Sequence, residues 1–383
     1  MSDSAAFELG RRIVREVLEP MKRVFVAKDE IIDLMGICLV AGENLFILGP
    51  PGTAKSALVT DLGRRLEGRS FEYLLTRFTE PSELFGPFDI RRLREGELVT
   101  NTEGMLPEAQ LVFLDELLNA NSAILNSLLT ALNERVFRRG RETRKLPTLM
   151  VVGASNHLPE DDALGALFDR FLLRVRCDNV PPERLGEVLD AGWRLDMDLH
   201  SRETTLRIED AAELHRVLTR VDFAAVRPAF AELVHRLRHA GIPISDRRAV
   251  KLQRVIGASA LLCGRMSAAM SDLWVVRHIW DAEEQQEVIA SLVQDAISRS
   301  PAEEGAHPRS RGADGPDPEC LARDLDHVGT RLGDPNLSTA DRSYLQDRLG
   351  VLAGRVQWVR ADEPRTFLLH RVEDLWSRTG GRK

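Results

Sequence analysis

The sequence GPPGTAKS at residues 49–56 decides the fold. It follows the apolar run Asn44–Leu48, which is typical of a buried strand, and it leads into Ala54–Leu66, where apolar residues recur at helical spacing. A strand, a glycine-rich turn and a helix in this order indicate a phosphate-binding loop of the form G-x-x-x-x-G-K-[ST]. Ala54 stands where this pattern has its second glycine. We expect a negative φ there, with the methyl group directed away from a bound phosphate.

Each part of the loop has a predicted role in binding ATP with Mg²⁺. Backbone N–H groups of the loop and of the following helix N-terminus are expected to face the phosphates. Lys55 would place its charge near the β and γ phosphates, and the Ser56 hydroxyl would bind the metal. A glycine- and proline-rich turn without a ligand is the alternative. The residues predicted to bind the nucleotide are Gly49, Pro50, Pro51, Gly52, Thr53, Ala54, Lys55, Ser56 and Ala57.

Two adjacent acids, Asp115 and Glu116, follow the apolar residues of the strand candidate Leu111–Asp115. Neighbouring carboxylates at a strand end are costly unless a cation or a water molecule uses them. We therefore predict that Asp115 binds the magnesium ion and that Glu116 activates the attacking water as a general base. The alternative is an ordinary Asp–Glu pair that caps a helix beginning near Leu117.

Three further polar residues complete the candidate site. Asn156 ends another strand candidate and could hydrogen-bond the attacking water or the γ phosphate, although a turn asparagine fits equally well. Arg170 could stabilise charge on the γ phosphate across a subunit boundary, and Arg174 is a second candidate for that role. A salt bridge between Arg170 and Asp169 is the alternative. Arg247 could reach the phosphates from the inner face of its domain, or it could be surface charge.

Strand candidates alternate with helical segments in the first half of the chain. This order predicts an α/β fold, with a parallel five-stranded sheet that helices cover on both faces. The remaining strand candidates are Phe71–Thr76, Leu149–Ala154 and Phe171–Val175. Composition divides the chain into a nucleotide-binding core at 1–180, an all-helical domain without a strand at 181–299, a flexible linker at 300–318 and a helical segment at 319–383.

Composition also limits the possible partners. The net charge of −7 gives no global basic field, so we expect no nucleic-acid partner. The four cysteines are far apart and form no CxxC pair, which argues against disulfides or a zinc site and fits a reducing cytosol. No apolar run approaches the roughly 20 residues that cross a bilayer, and no leader is recognisable. We expect a cytoplasmic protein without membrane insertion.

In chain order, the stretches GPPGTAKS, FLDE, ASN, FDRF and SDRR resemble the MoxR branch of the AAA+ ATPases, and within it the RavA-like group. The resemblance implies that 181–299 is the lid domain, that 85–104 is an insert in helix 2, and that 134–148 is a hairpin before sensor 1. It also implies that alanine is accepted at position 54. By this resemblance the site residues are Lys55 and Ser56 of Walker A, Asp115 and Glu116 of Walker B, Asn156 of sensor 1, Arg170 as the arginine finger acting in trans, and Arg247 of sensor 2.

Members of this family usually form hexameric rings and remodel proteins. The resemblance therefore implies a homo-oligomeric, hexameric ring that hydrolyses ATP bound between core and lid, and that remodels or activates a protein client or inserts a metal cofactor into it. A protein with a von Willebrand factor A domain is the partner it suggests. Three rivals remain: a magnesium or cobalt chelatase-type AAA+ subunit, a nucleic-acid motor, and a scaffold that binds nucleotide without hydrolysing it.

Overall fold

The structure is a computed structural model of the chain. It describes residues 2–139, 142–159, 161–198, 206–299, 306–310, 318–333, 339–356, 359 and 362–379. The strands are β1 (Leu45–Leu48), β2 (Leu66–Glu67), β3 (Ser70–Leu74), β4 (Leu111–Asp115), β5 (Val136–Arg139), β6 (Glu142–Lys145), β7 (Met150–Ser155), β8 (Leu173–Arg176) and β9 (Leu206–Arg207). The helices are α1 (Asp3–Ile13), α2 (Glu19–Val24), α3 (Asp29–Ala41), α4 (Lys55–Arg65), α5 (Pro81–Phe85), α6 (Ile90–Arg94), α7 (Ser122–Glu134), α8 (Asp162–Phe168), α9 (Leu185–Asp198), α10 (Ile208–Val217), α11 (Arg227–His239), α12 (Asp246–Leu262), α13 (Gln285–Ser298), α14 (Pro318–Leu332), α15 (Thr339–Val356) and α16 (Asp362–Thr379).

A parallel sheet of five strands forms the centre of the core, in the order β3-β4-β7-β1-β8. This confirms the predicted fold class. Its inner strands are almost wholly apolar and buried, as expected for a sheet with helices on both faces. The ends of neighbouring strands are level, since Leu48 pairs with Ser155 and Leu74 pairs with Asp115. Because all five strands are parallel, the segments that follow their carboxyl ends meet at one edge of the sheet.

The lid domain packs against the core with its helix α12 alongside α3. Arg174 of β8 is completely buried in this seam, where it donates hydrogen bonds to the carbonyls of Phe168 and Ile279 and lies 3.0 Å from the carboxylate of Asp281. Burial lowers the pKa of Arg174 to about 9. Arg248 of α12 contacts the same Asp281 at 3.1 Å. A buried cluster of charges therefore joins the lid to the core.

The segment 181–299 was predicted to contain no strand, and this is wrong at one place. Strand β9 pairs in parallel with β2, with Leu206 beside Leu66. Each of these strands is only two residues long. A two-residue strand shows neither alternation nor an apolar run, so the sequence offers no signal for it.

The prediction of a flexible linker at 300–318 is wrong for residues 306–310. His307 and Ser310 are buried, and Arg309 lies 2.9 Å from the carboxylate of Asp33 in α3. Pro318, the last residue of the predicted linker, begins α14, and residues 300–305 and 311–317 lie outside the described residues. Composition failed here because a few well-placed side chains anchor a segment that has too few apolar residues to predict burial.

Helices α14, α15 and α16 pack together as a small bundle. Their apolar side chains form a core separate from that of the rest of the chain. The members of this second core include Leu321, Leu325, Leu345, Leu349, Leu352, Leu368 and Leu375. Arg348 of α15 contacts Glu283 of the lid segment at 2.6 Å, and Arg176 of β8 contacts the same carboxylate at 3.2 Å. Among the described residues, no helix is both long and apolar enough to cross a membrane.

Candidate nucleotide-binding site

The predicted phosphate-binding loop begins where β1 ends. Gly49 is required there, because a Cβ on this residue would lie 2.2 Å from the carbonyl oxygen of Cys177. Gly52 adopts a left-handed conformation with φ of +81°. The Lys55 ammonium is buried against the loop and donates hydrogen bonds to the carbonyls of Gly49, at 2.7 Å, and Pro50, at 2.9 Å. Two of its three donors thus fix the charge of Lys55 within the loop.

Cys177 packs against the loop, and sequence reasoning missed this residue. Its backbone N–H donates to Leu48, and its thiol lies 3.1 Å from the carbonyl oxygen of Thr53. The Thr53 hydroxyl donates to the carbonyl of Pro50 at 2.9 Å. Cys177 directly follows β8 in sequence, about 120 residues beyond the loop, so no local pattern could have indicated this contact.

The expectation of a negative φ at Ala54 is wrong. Ala54 has φ of +70° and ψ of +22°, which is the left-handed conformation. The turn from the loop into α4 needs this conformation, and an alanine there costs about 1–2 kcal/mol relative to ordinary backbone. The glycine of the general pattern relieves that strain. The loop of this chain is therefore strained at the residue before Lys55.

Ala54→Gly is expected to raise the free energy of unfolding by about 1 kcal/mol, because glycine adopts the left-handed conformation without a Cβ clash. Urea unfolding measures the difference. Ala57→Gly is the matched control: it lies inside α4, where glycine should lower stability by about 1 kcal/mol. A loss of stability in Ala54→Gly would contradict the strain at this position.

The structure brings the loop and the two predicted acids together. The Ser56 hydroxyl donates to Oδ2 of Asp115 at 3.0 Å, although the two residues are 59 positions apart in sequence. The other oxygen, Oδ1, accepts the backbone N–H of Glu116 at 3.0 Å. A hydroxyl and a carboxylate side by side are the oxygen ligands that Mg²⁺ prefers, with the phosphates and water supplying the others. Ser56 and Asp115 thus fit the predicted metal-binding role.

Glu116 lies next to this pair in an unusual conformation. Its φ is +50°, the left-handed region, and its side chain does not cap the short turn Leu117–Asn119 that follows. Asn119 donates from its amide to the Glu116 carboxylate at 3.4 Å. A non-glycine residue in this conformation is uncommon and concentrates at functional sites. The geometry therefore disfavours the alternative of a simple capping pair.

Asn156 is exposed directly after β7. Strand β7 lies between β1, which carries the loop, and β4, which carries the acids. Neighbouring strands are about 4.8 Å apart, so the residue that follows β7 lies between the loop and the carboxylates. This is the position from which an amide could hydrogen-bond the γ phosphate or the attacking water.

Arg170 and Arg247 lie at the opposite edge of the sheet from the loop. The backbone carbonyl of Arg170 accepts a hydrogen bond from Asn44, which precedes β1. The guanidinium of Arg247 contacts Asn133, near the end of α7. Arg135, the residue after α7, donates a hydrogen bond to the side chain of Asn44. Strand β7 is six residues long, so about 20 Å of sheet separates the two edges. Neither arginine is placed to touch a nucleotide in its own chain.

Two predictions about arginines therefore need correction. The expected position of Arg247 on an inner face near the phosphates of its own chain is wrong, because α12 packs along the amino edge of the core. Arg174 is wrong as a candidate for the trans-acting arginine. It is completely buried in the seam with the lid, whereas the Arg170 side chain is partly exposed. The short ion pair of Arg170 with Asp169, at 3.2 Å, is present as well.

The two predicted inserts form one unit. Strands β5 and β6 make an antiparallel hairpin, and Phe137 of the hairpin stacks on Phe85 with ring centroids 5.6 Å apart. Arg139 donates to the carbonyl of Gly86 at 2.6 Å and lies 4.0 Å from the centroid of the Phe88 ring. The hairpin is therefore packed and hydrogen-bonded against the segment after α5.

Comparison with known proteins agrees with this architecture. A family model described as the MoxR domain in MoxR–vWA–β-propeller ternary systems matches residues 12–216, and a model of the AAA lid domain matches residues 226–293. The chain is similar to an uncharacterised protein of Methanocaldococcus jannaschii, at 34% identity over 75% of each chain. It is also similar to the chaperone MoxR1 of Mycobacterium tuberculosis, at 25% identity over 44% of this chain and 45% of that protein.

The fold itself is found in a crystal structure of a candidate ATPase from Cytophaga hutchinsonii. The TM-score is 0.62 at 18% identity, and the match covers 79% of this chain and 98% of that one. At this level of identity the likeness supports the fold alone. The MoxR domain model, in contrast, extends over more than half of the chain, and the lid model begins soon after it. The family predicted from the motifs is confirmed, and the chain belongs to the MoxR family of AAA+ ATPases.

Proposed function

We propose that this chain binds ATP with Mg²⁺ and hydrolyses it at the joints between neighbouring subunits of a homo-oligomeric ring, with six subunits as the expected number. The observation that carries the proposal is the contact between Ser56 and Asp115 beside the buried ammonium of Lys55. It unites a phosphate-binding loop with the oxygen donors of a magnesium site. Magnesium supplies charge neutralisation for the phosphates when it is bound.

The residues at the carboxyl edge of the sheet have different roles in hydrolysis. Lys55 and the loop amides hold the β and γ phosphates, while Ser56 and Asp115 hold the metal. Glu116 accepts the proton of the attacking water, and Asn156 orients that water or the γ phosphate. These groups lie on rigid strand ends, which favours a preorganised site. The negative charge that develops on the γ phosphate must be stabilised by cations, and the loop lysine alone provides only part of that stabilisation.

The missing cations are proposed to come from the neighbouring subunit. Arg170 lies on the core and Arg247 lies on the lid, and both are at the edge opposite the loop. In a ring of head-to-tail contacts, one edge of each subunit faces a different edge of the next. Arg170 would then act as the arginine finger, and Arg247 would sense the same nucleotide across the joint. This replaces the predicted arrangement in which ATP lies between the core and lid of one chain.

The proposed consequence of ATP hydrolysis is a conformational change in the ring. Loss of the γ phosphate removes the contacts that bind one subunit to the arginines of the next, so the joint relaxes. The unit formed by the hairpin and the segment after α5 would carry this motion to a protein client. The matched family model is named for systems that contain a vWA protein, which supports a partner with such a domain. Remodelling or activation of that partner, including insertion of a metal cofactor, is the proposed outcome.

The proposal predicts that ATP binding depends on magnesium through Ser56. Ser56→Ala is expected to weaken ATP binding in the presence of Mg²⁺ by about tenfold or more, because a charge-assisted contact is lost. Binding in EDTA should hardly change. Isothermal titration of the full chain measures both. Ser127→Ala is the matched control, since that half-buried hydroxyl donates to the carbonyl of Ala123 within α7. If the unaltered chain shows no magnesium-dependent affinity for ATP, the proposal is rejected.

A further inference from the structure

Residues 306–310, which we call the strap, lie across the junction of core and lid. On the core side, Arg309 contacts two carboxylates of α3: Nε lies 2.9 Å from Oδ2 of Asp33, and Nη2 lies 3.4 Å from Asp29. Asp33 is itself mostly buried and also contacts Lys22 at 2.7 Å. The strap is therefore bound to α3 by a partly buried network of charges, which is stronger than an exposed ion pair.

On the lid side, the strap packs on the 3-10 segment Met270–His278. The ring of His307 stacks on that of the buried Trp274, with centroids 4.7 Å apart. Arg277 donates to the carbonyl of Arg309 at 3.1 Å. Burial lowers the pKa of His307 to about 4, so the ring is neutral at neutral pH and can pack on an aromatic side chain without burying a charge. The strap is thus bound to the lid as well as to the core.

The strap adds to other contacts between core and lid. These include the charge cluster around Arg174 and Asp281 in the seam, and the ion pair of Lys251 in α12 with the buried Glu43 that follows α3. Contacts at separate places along the junction oppose rotation of the lid on the core. This matters because Arg170 belongs to the core and Arg247 belongs to the lid. If both reach one nucleotide across a joint, a fixed separation between them keeps the pair preorganised for that nucleotide.

We propose that the strap locks the lid onto its own core, so that Arg170 and Arg247 of one subunit move as a rigid pair against the nucleotide of the next. The inference rests on the proposed function for its link to ATP turnover. The moving joint is then between chains rather than between the core and lid of a single chain.

The test compares Arg309→Ala, Arg309→Lys and Arg299→Ala in the full chain. Arg299 is the matched control, because it is an exposed arginine of the lid that pairs with Glu232 and Asp295 on the surface. Hydrogen exchange at residues 29–35 and 270–278 reports the lock, and steady-state kinetics report ATP turnover. Arg309→Ala should raise exchange at both segments about tenfold and lower kcat several-fold, with little change in ATP affinity. Arg309→Lys keeps the charge and should lie between Arg309→Ala and the unaltered chain.

The two readouts separate the possible failures. Unchanged exchange at 270–278 in Arg309→Ala, or an equal rise in Arg299→Ala, would overturn the lock. A rise in exchange with unaltered kcat would overturn the link between the lock and the arginine pair. If the unaltered chain does not turn over ATP, the proposed function fails, and hydrogen exchange alone then decides whether the strap holds the lid.

Discussion

Glu116→Gln is expected to lower the rate of ATP turnover by about two to four orders of magnitude while leaving ATP bound. The amide has the shape of the carboxylate but cannot accept a proton from the attacking water. The Ser56–Asp115 pair and the Lys55 loop are untouched by this change, so magnesium and phosphates keep their ligands. Phosphate release and equilibrium ATP binding, measured on the same preparation, separate the two effects.

The control for this variant is an exposed acid of the same domain that lies outside the site. Glu97 pairs with Arg92 on the surface, and Glu97→Gln should leave turnover unaltered. Glu116 has a left-handed backbone, and glutamine, which also carries a Cβ, is not expected to relieve the strain of that turn. If Glu116→Gln turns over ATP at the rate of the unaltered chain, another group must activate the water.

The sequence predicted the carboxyl edge of the sheet well. The apolar runs before Gly49, Asp115 and Asn156 are long enough to indicate strands, and parallel strands must bring the residues after them to one edge. The Ser56–Asp115 contact follows from that rule. The local apolar pattern and the geometry of a parallel sheet together locate these residues, and both can be derived from a single sequence.

Sequence analysis failed to predict the features that depend on contacts between distant segments. Nothing near Arg247 shows that α12 packs at the amino edge, because this depends on which face of α3 the lid covers. The packing of Cys177 against the loop and the anchoring of Arg309 on Asp33 are also contacts between distant segments. Ala54 is a different case. Its left-handed backbone is required by the loop, and the residue type would have predicted the opposite.

Arg170→Ala is expected to lower ATP turnover by about three to five orders of magnitude, the range for removal of an arginine finger. Arg170 lies about 20 Å of sheet away from the loop of its own chain, so the loss must be felt at a neighbour's nucleotide. Lys55→Ala should also be inactive, because its own pocket no longer holds the phosphates. The two inactive proteins therefore lack different halves of the same joint.

Mixing the two variants should restore activity if the arginine acts across the joint. A joint is complete when an intact loop, from an Arg170→Ala chain, faces an intact arginine, from a Lys55→Ala chain. With random assembly at equal amounts and independent joints, about a quarter of the joints are complete, so turnover should recover to about a quarter of the unaltered rate. Arg299→Ala chains mixed with Lys55→Ala chains serve as the control and should give about half. Recovery in the control mixture without recovery in the test mixture would mean that Arg170 acts within its own chain, and this would contradict its role across the joint.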